Sequence, residues 1–419
     1  MRRSATTPCL LLLAAAVLSR CAGHPSPTTS ARPAAARPPI GVASFNMAWA
    51  GTERDFDRYL EVCGAPAVSW CDTRARVARG ATEATAEEQA RATKCQESIY
   101  AAAGGRAASM LMAPCGAYRP RAPGADPGAS RTREAYAAKL AGLRVTVERL
   151  IEHEGVSVLA FQEVHGREVV SGALGKFADR FEVCAAPHAN FQTVAFAWDR
   201  AVTERPGRCT PNDALAIAED AEGIRRVRPG LALELTIGGA PVTFLNVHLK
   251  AGCANIVATE RYPARLLDDP SSNCEFFNRQ VPLLEAWLDA AAARSPRLVL
   301  LGDFNRRIDE EEAAAIPKDK VRSDGSDPAG PNRVSDKGKV ATLYLWPEIS
   351  DGSPTLHQVP LSTAEAACGF SGLDHLVISE ALKALNPGVI ASRKVPVEEM
   401  PGQAIETSDH CPRIVWMKF

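Results

Sequence analysis

Six groups of acids, amides and histidines stand where apolar runs end: Asn46, Glu163, Asn246 with His248, Asp303 with Asn305, Asp374 with His375, and Ser408-Asp409-His410. Any one alone fits a turn, which Asn and Asp favour. Six together are of types that suit a single chemistry, hydrolysis of a phosphate ester assisted by a hard divalent cation. Such an ion prefers oxygen ligands, keeps several waters and needs only one or two carboxylates. Glu163 and Asp409 offer carboxylates, and Asn46 offers a neutral amide oxygen. The cation would neutralise a phosphate oxygen and the charge that grows in the transition state. A water must also give up a proton. Histidine is the suited base near neutral pH, best when a carboxylate orients its other ring nitrogen. Asp374 and His410 fit that pairing. His248 could bind a phosphate oxygen or protonate the leaving oxygen, while Asp303 and Asn305 could position the nucleophile and hold the phosphate. Asn246, Lys250 and Arg306 stand beside these groups and are expected to contact substrate.

The same segments resemble the endonuclease/exonuclease/phosphatase superfamily of metal-dependent phosphoesterases. The matching stretches are Ser44-Phe45-Asn46, Phe161-Gln162-Glu163-Val164, Asn246-Val247-His248-Leu249-Lys250, Leu301-Gly302-Asp303-Phe304-Asn305, Gly372-Leu373-Asp374-His375 and Ser408-Asp409-His410-Cys411-Pro412, in the family's order. The resemblance covers residues 40–50 and 131–419. It implies a four-layer α/β sandwich, two packed mixed β-sheets flanked by helices, with the site at one rim. It further implies Asn46, Glu163 and Asp409 as metal ligands and His410 as general base with Asp374 orienting it. His248, Asp303 and Asn305 would complete the catalytic set, and the cofactor would be Mg²⁺, Mn²⁺ or Ca²⁺. The family's acidic or Tyr group between the Glu and His motifs has no placed counterpart here, so what orients His248 is open.

Such residues need strands that end together. Ile40–Trp49 and Val156–Gln162 read as buried strands, as do Gln192–Trp198, Leu231–Ile237, Val242–Leu249, Leu298–Leu301, Leu376–Ile378 and Ile414–Met417. Tyr136, Leu140, Leu143, Val147, Leu150 and Ile151 recur at helical spacing, with Gly155 as a stop. Gln280–Ala293 reads as a second helix. Strands that alternate with helices in places and follow one another as hairpins elsewhere predict a mixed sheet sandwich. Residues 51–130 show weak helical pattern over Thr82–Ala103 and no strand alternation, and read as an insertion tied by disulfides. His375 next to Asp374 is expected on the opposite strand face. The run Asp309-Glu310-Glu311-Glu312 reads as a solvated face.

The chain has 419 residues, 46% of them apolar and 23% charged, which fits a packed protein. Net charge is −1, which excludes a strongly basic nucleic-acid binder. Arg2, Arg3 and the apolar run Leu10–Leu18 form an export signal too short to span a bilayer. Leu18-Ser19-Arg20-Cys21 resembles a lipobox, apart from Arg20. Residues 1–21 are therefore expected to be a signal that leaves either a lipid-anchored or a released protein, and residues 22–39 a flexible linker. Loss of residues 1–21 removes three arginines and no acid, so the net charge becomes −4. Ten of the 12 cysteines remain, an even number that argues for disulfides in an exported chain. Local pairing gives 63–71, 95–115, 184–209, 253–274 and 368–411. The expected substrate is a nucleic acid, with a phospholipid, sphingolipid or small phosphate ester as the alternative; no apolar membrane-contacting hairpin is evident.

Overall fold

A computed structural model describes residues 38–69, 71–78, 84–118, 120, 127–254, 272–314, 333–334, 340–341, 344–350, 352–362, 372–388 and 390–419. The expected signal and nearly all of the linker lie outside these residues. Among the described residues no helix is long and apolar enough to cross a membrane.

The strands are β1 (Ile40–Ala50), β2 (Val156–Val164), β3 (Phe181–Ala185), β4 (Thr193–Asp199), β5 (Arg208–Asn212), β6 (Gly230–Ile237), β7 (Ala240–His248), β8 (Arg297–Asp303), β9 (Arg333–Val334), β10 (Val340–Ala341), β11 (Leu356–Gln358), β12 (Asp374–Ser379), β13 (Arg393–Lys394) and β14 (Arg413–Met417). Two six-stranded sheets form, in the orders β13-β14-β1-β2-β4-β3 and β11-β12-β8-β7-β6-β5. Each holds one parallel pair, β1 with β2 and β7 with β8, and every other pairing is antiparallel. Parallel neighbours need a crossover. The first crossover includes the insertion and α4 (Arg133–Glu152); the second includes α6 (Ser272–Ala292).

Period-two alternation divides every central strand between two layers. Val42, Val158, Ala160, Phe244, Val299, Leu301, Leu376 and Val415 face inward and form the core between the sheets. Ala43, Phe45, Leu159 and Phe161 face outward, against α4 and α5 (Arg167–Ala173). Leu245, Val247, Leu298 and Leu300 pack on α6 and α8 (Leu345–Ser350). These are the helix, sheet, sheet and helix layers that the sequence predicts.

The insertion contains α1 (Glu53–Cys63), α2 (Ala86–Ala103) and α3 (Arg106–Met110). Its apolar cluster is not self-contained: Phe56, Tyr59, Cys95 and Ile99 pack with Tyr136 of α4 and with Phe191. Its disulfides correct the local-pairing expectation. Cys63 joins Cys115 and Cys71 joins Cys95, so the end of α1 is tied to the segment after α3 and the segment after α1 is tied to α2, not each cysteine to its neighbour in sequence. The bridges 184–209 and 253–274 form as expected. Cys411 is disulfide-bonded, but its expected partner Cys368 lies outside the described residues. The acidic run is solvated as expected at Asp309, Glu310 and Glu312 and departs from that reading at Glu311 alone. It opens α7 (Ile308–Ala313), and Glu311 is fully buried beside Arg306.

Candidate active site

The inward-facing rows turn polar at one rim. Along β1 the inward series ends in Ser44 and Asn46, along β2 in Gln162, and along β7 in Asn246 and His248. Register places His248 opposite Asp303, and Asp303 opposite Asp374, so three neighbouring strands of the second sheet present three polar side chains in one line. Asn46 lies opposite Gln162 in the first sheet. Both parallel pairs thus deliver their carboxyl ends to the same rim, where ligand sites in open sheets form.

Strict alternation would turn Glu163 outward, into the layer of α4 and α5. Register shifts between Gln162 and Val164 and between Asn46 and Ala50 change this. The non-glycine residues of left-handed backbone among the described residues are Ala48 (φ 49°), Trp49 (φ 59°), Glu163 (φ 57°) and Asn305 (φ 50°). All four lie at this rim, where unfavourable backbone of about 1–3 kcal/mol per residue is tolerated because surrounding contacts over-determine it. The result is that Trp49 N donates to Glu163 Oε2 at 3.1 Å and Glu163 Oε1 lies 3.7 Å from His248 Nε2.

Asp303 is the hub. Its Oδ2 accepts from Asn46 Nδ2 at 3.1 Å and lies 3.5 Å from His248 Nε2 and 3.9 Å from His410 Nε2. Its Oδ1 accepts from Asn305 N at 2.8 Å, and Asn305 Nδ2 donates to Leu249 O. His410 Nδ1 donates to the Asp374 carboxylate, 2.9 Å from Oδ2 and 3.1 Å from Oδ1. Asp374 is held in turn near Lys394, 4.0 Å away, and Arg413 donates to its backbone carbonyl.

The fields follow from this crowding. Burial raises the Asp303 carboxyl, His410 opposes that, Asp374 adds to it, and the net is about 7. Burial would depress His410, but Asp374, through charge and hydrogen bond, then Asp303 and Asp409, push it up to about 10. Burial would raise Asp374, but His410 and then Lys394 hold it below the usual carboxylate range. Glu163 is raised by burial and by Asp409, against His410 and Arg228. His248 is pushed well below its usual value by burial and by the charges of Arg228, His410 and Lys250. This favours a neutral ring, and its Nδ1 has no hydrogen-bond partner among the described residues.

The expected metal set has matching chemistry. Burial and then the charge of Asp409 raise the Glu163 carboxyl in the absence of a cation, as a neighbouring like charge does. Glu163, Asp409 and the Asn46 amide oxygen are the hard donors that Mg²⁺ selects. Asp303, Asp374 and His410 also bring one ligand atom each within 4.8 Å of one another.

Three expected contacts find other partners. Asn246, expected to touch substrate, is fully buried. Its Oδ1 accepts from Gln162 Nε2 at 2.8 Å, and its Nδ2 donates to Phe161 O and Ala195 O. It is a cross-link between the sheets. Arg306 is also fully buried, 3.5 Å from Glu311 and 4.1 Å above the Phe277 ring, so its cation faces the helical layer. Lys250 does line the cleft over the site, with its ammonium 2.8 Å from Glu219. His375 faces outward as expected and binds the carbonyls of Arg306 and Gly372.

Two residues are absent from the sequence reading. Lys139, 1% exposed, donates to the carbonyls of Met47, Glu406 and Thr407, tying the end of β1 to the loop of Asp409 and His410. A lysine at helical spacing from Tyr136 and Leu143 was the available sign. Arg228 donates to the carbonyls of His248 and Leu249 and acts electrostatically on Glu163 and Asp303; no motif marks it.

No protein-family model matches the chain, and no curated protein matches it. Solved structures similar to it include TDP2 from Caenorhabditis elegans, at 15% identity over 67% of this chain and 69% of that chain, TM-score 0.39. Another is the 3'-5' exonuclease NExo from Neisseria meningitidis, at 17% identity over 67% and 97%, TM-score 0.36. A third is an endonuclease/exonuclease/phosphatase family protein from Bacteroides thetaiotaomicron, at 10% identity over 68% and 91%, TM-score 0.39. With identity and TM-score this low, what the chain does has to be read from its own residues.

Proposed function

We propose that this chain is a divalent-metal-dependent phosphodiesterase of the endonuclease/exonuclease/phosphatase type, acting on nucleic-acid phosphodiester bonds. The observation that carries the reading is the convergence on one rim of Asn46, Glu163, His248, Asp303, Asp374 and His410 from strands of both sheets, with Asp303 in reach of three of them.

Mg²⁺ or Mn²⁺ would be held by Glu163, Asp409 and the Asn46 amide oxygen, and when bound supplies charge neutralisation at phosphate. The chain's own residues do the rest. Asp374 fixes the His410 ring so that Nε2 faces Asp303, and a water between Nε2 and the Asp303 carboxylate can be aligned and deprotonated. The field that raises His410 comes first from Asp374, then from Asp303 and least from Asp409, and a cation on Asp409 would remove the last of these. Neutral His248 can donate a hydrogen bond to a phosphate oxygen without adding a buried cation.

Export is proposed from the N-terminal sequence and is supported by the disulfides, which persist in oxidising compartments. Attachment to a membrane through Cys21 is proposed on the lipobox resemblance alone. The test is a substrate panel of plasmid DNA, RNA, sphingomyelin and inositol phosphates with Mg²⁺ or EDTA, beside His410→Ala. Nucleic acid should be hydrolysed with Mg²⁺ and not with EDTA, and His410→Ala should lower kcat by about 100-fold or more. The reading is falsified if no substrate turns over in a metal- and His410-dependent way.

A further inference from the structure

The insertion is a wall of the site. A cleft of about 610 Å³ opens above Glu163 and His248. One side is built from the insertion, through Ile99, Tyr100, Met110 and Met112. The facing side is a short arm carrying Arg225, Arg226 and Arg228, with Lys250 at its foot. The two sides are joined at their ends. Arg106 of α3 pairs with Asp220 at 2.7 Å and Glu222 at 2.9 Å, and Asp220 in turn caps Ile224 N and Arg225 N at the start of the arm. Asn190 pins the arm from beneath, accepting from Arg226 N and donating to Ile224 O.

The chemistry of the cleft is divided. The insertion side is aromatic and thioether, and the arm side is cationic. Glu219 takes up Lys250 and Arg225. Arg226 and Arg228 make no ion pair among the described residues and donate instead to backbone carbonyls. Gln192, 7% exposed, also lines the cleft, and its amide nitrogen has no hydrogen-bond partner among the described residues. A chain with phosphates along one edge and flat bases along the other matches this division. Stacking on aromatic side chains is indifferent to sequence, and arginine suits phosphate. The size decides between single strand and duplex. The cleft's volume falls in the range of about 300–1,000 Å³ that encloses a small ligand, and the pairing of Arg106 with Asp220 and Glu222 ties its two walls together, which suits one strand better than a duplex.

We propose that the insertion and the Arg225–Arg228 arm form a strand-binding cleft that takes a single-stranded phosphodiester, phosphates on Arg226 and Arg228 and a base against Tyr100 and Met110, and excludes a duplex. The proposal rests on the phosphodiesterase reading for its placement beside the scissile bond, but its binding test does not need turnover. The probe is a short fluorescein-labelled oligothymidylate, titrated by anisotropy with the full chain carrying His410→Ala, against the same strand annealed to oligoadenylate. The single strand should bind at least about tenfold tighter. Adding Tyr100→Ala or Arg226→Ala should weaken it by about tenfold, as loss of a stacking or phosphate contact does. Arg226 is exposed, and its replacement leaves the core intact; circular dichroism checks the Tyr100 variant. Equal affinity for strand and duplex, or no weakening by either substitution, overturns the proposal. Strand preference with no diester hydrolysed by the unsubstituted protein supports the cleft and defeats the phosphodiesterase reading. Hydrolysis without strand preference does the reverse.

Discussion

At the residue scale, the site is a set of charges that are each tolerable only because of the next. Glu163 stands in left-handed backbone at a break in register, and the charge of Asp409 acts on its carboxylate. Two carboxylates so placed favour an ion that binds the folded state alone, and such an ion stabilises by RT ln(1 + [L]/Kd), about 2.7 kcal/mol at 100-fold excess over Kd. Mg²⁺ should therefore raise the thermal midpoint of the unsubstituted protein, and Glu163→Gln should abolish most of that rise. Calorimetry with and without Mg²⁺ checks it, and an equal rise in both proteins would remove Glu163 from the ligand set. The residue types were legible in the sequence, as were the strand ends that carry them. The aim of Glu163 was not, because alternation points it outward and only the register shift corrects that. Arg306 misled in the other direction. Adjacency to Asn305 suggested a substrate contact, and the chain turns it into a buried pair with Glu311.

At the element scale, loops after the parallel strands carry the site and are held by covalent ties. Cys253 and Cys274 are both fully buried and join the loop after β7 to the start of α6. Closing a loop with a sequence separation of 21 constrains the unfolded chain by about 3 kcal/mol in the entropy view. Cys253→Ala with Cys274→Ala should lower the unfolding free energy by roughly that amount. Activity should fall at temperatures where far-UV circular dichroism is unchanged, since Lys250 and Asn305 rest on the same loop. Parallel loss of activity and dichroism would show that the bridge serves only the fold. The long strands and α4 could be read from periodicity. The edge strands β3, β5, β11 and β13 could not, being short or half-exposed, and the helical pattern legible in the insertion covers Thr82–Ala103 and leaves out α1, Glu53–Cys63.

At the scale of the whole molecule, the two sheets are locked to one another beneath the site by polar groups as well as by apolar packing. Gln162, Asn246 and Ser44 form a buried chain from β1 and β2 to β7, and Asn246 also satisfies carbonyls of β2 and β4. Asn246→Leu would leave those carbonyls and the Gln162 amide without partners, each at about 1–3 kcal/mol. It should therefore lower the urea midpoint markedly, while the Kd for Mg²⁺ of the folded fraction changes little. An unchanged midpoint with altered substrate affinity would restore the substrate role that the motif suggested. The layered architecture was visible in the order of the motifs. The sheet-to-sheet link was hidden, because a binding amide and a structural amide look the same in one dimension. The pairing of β1 with β14, Ile40 against Met417, has a consequence for how the protein comes into being. The strand bearing Asn46 acquires this neighbour only when regions near opposite ends of the described chain meet, and Asp409 and His410 ride on that same late contact. High contact order of this kind slows folding. The complete site should thus emerge only at the end of folding, with no partly folded form that carries it.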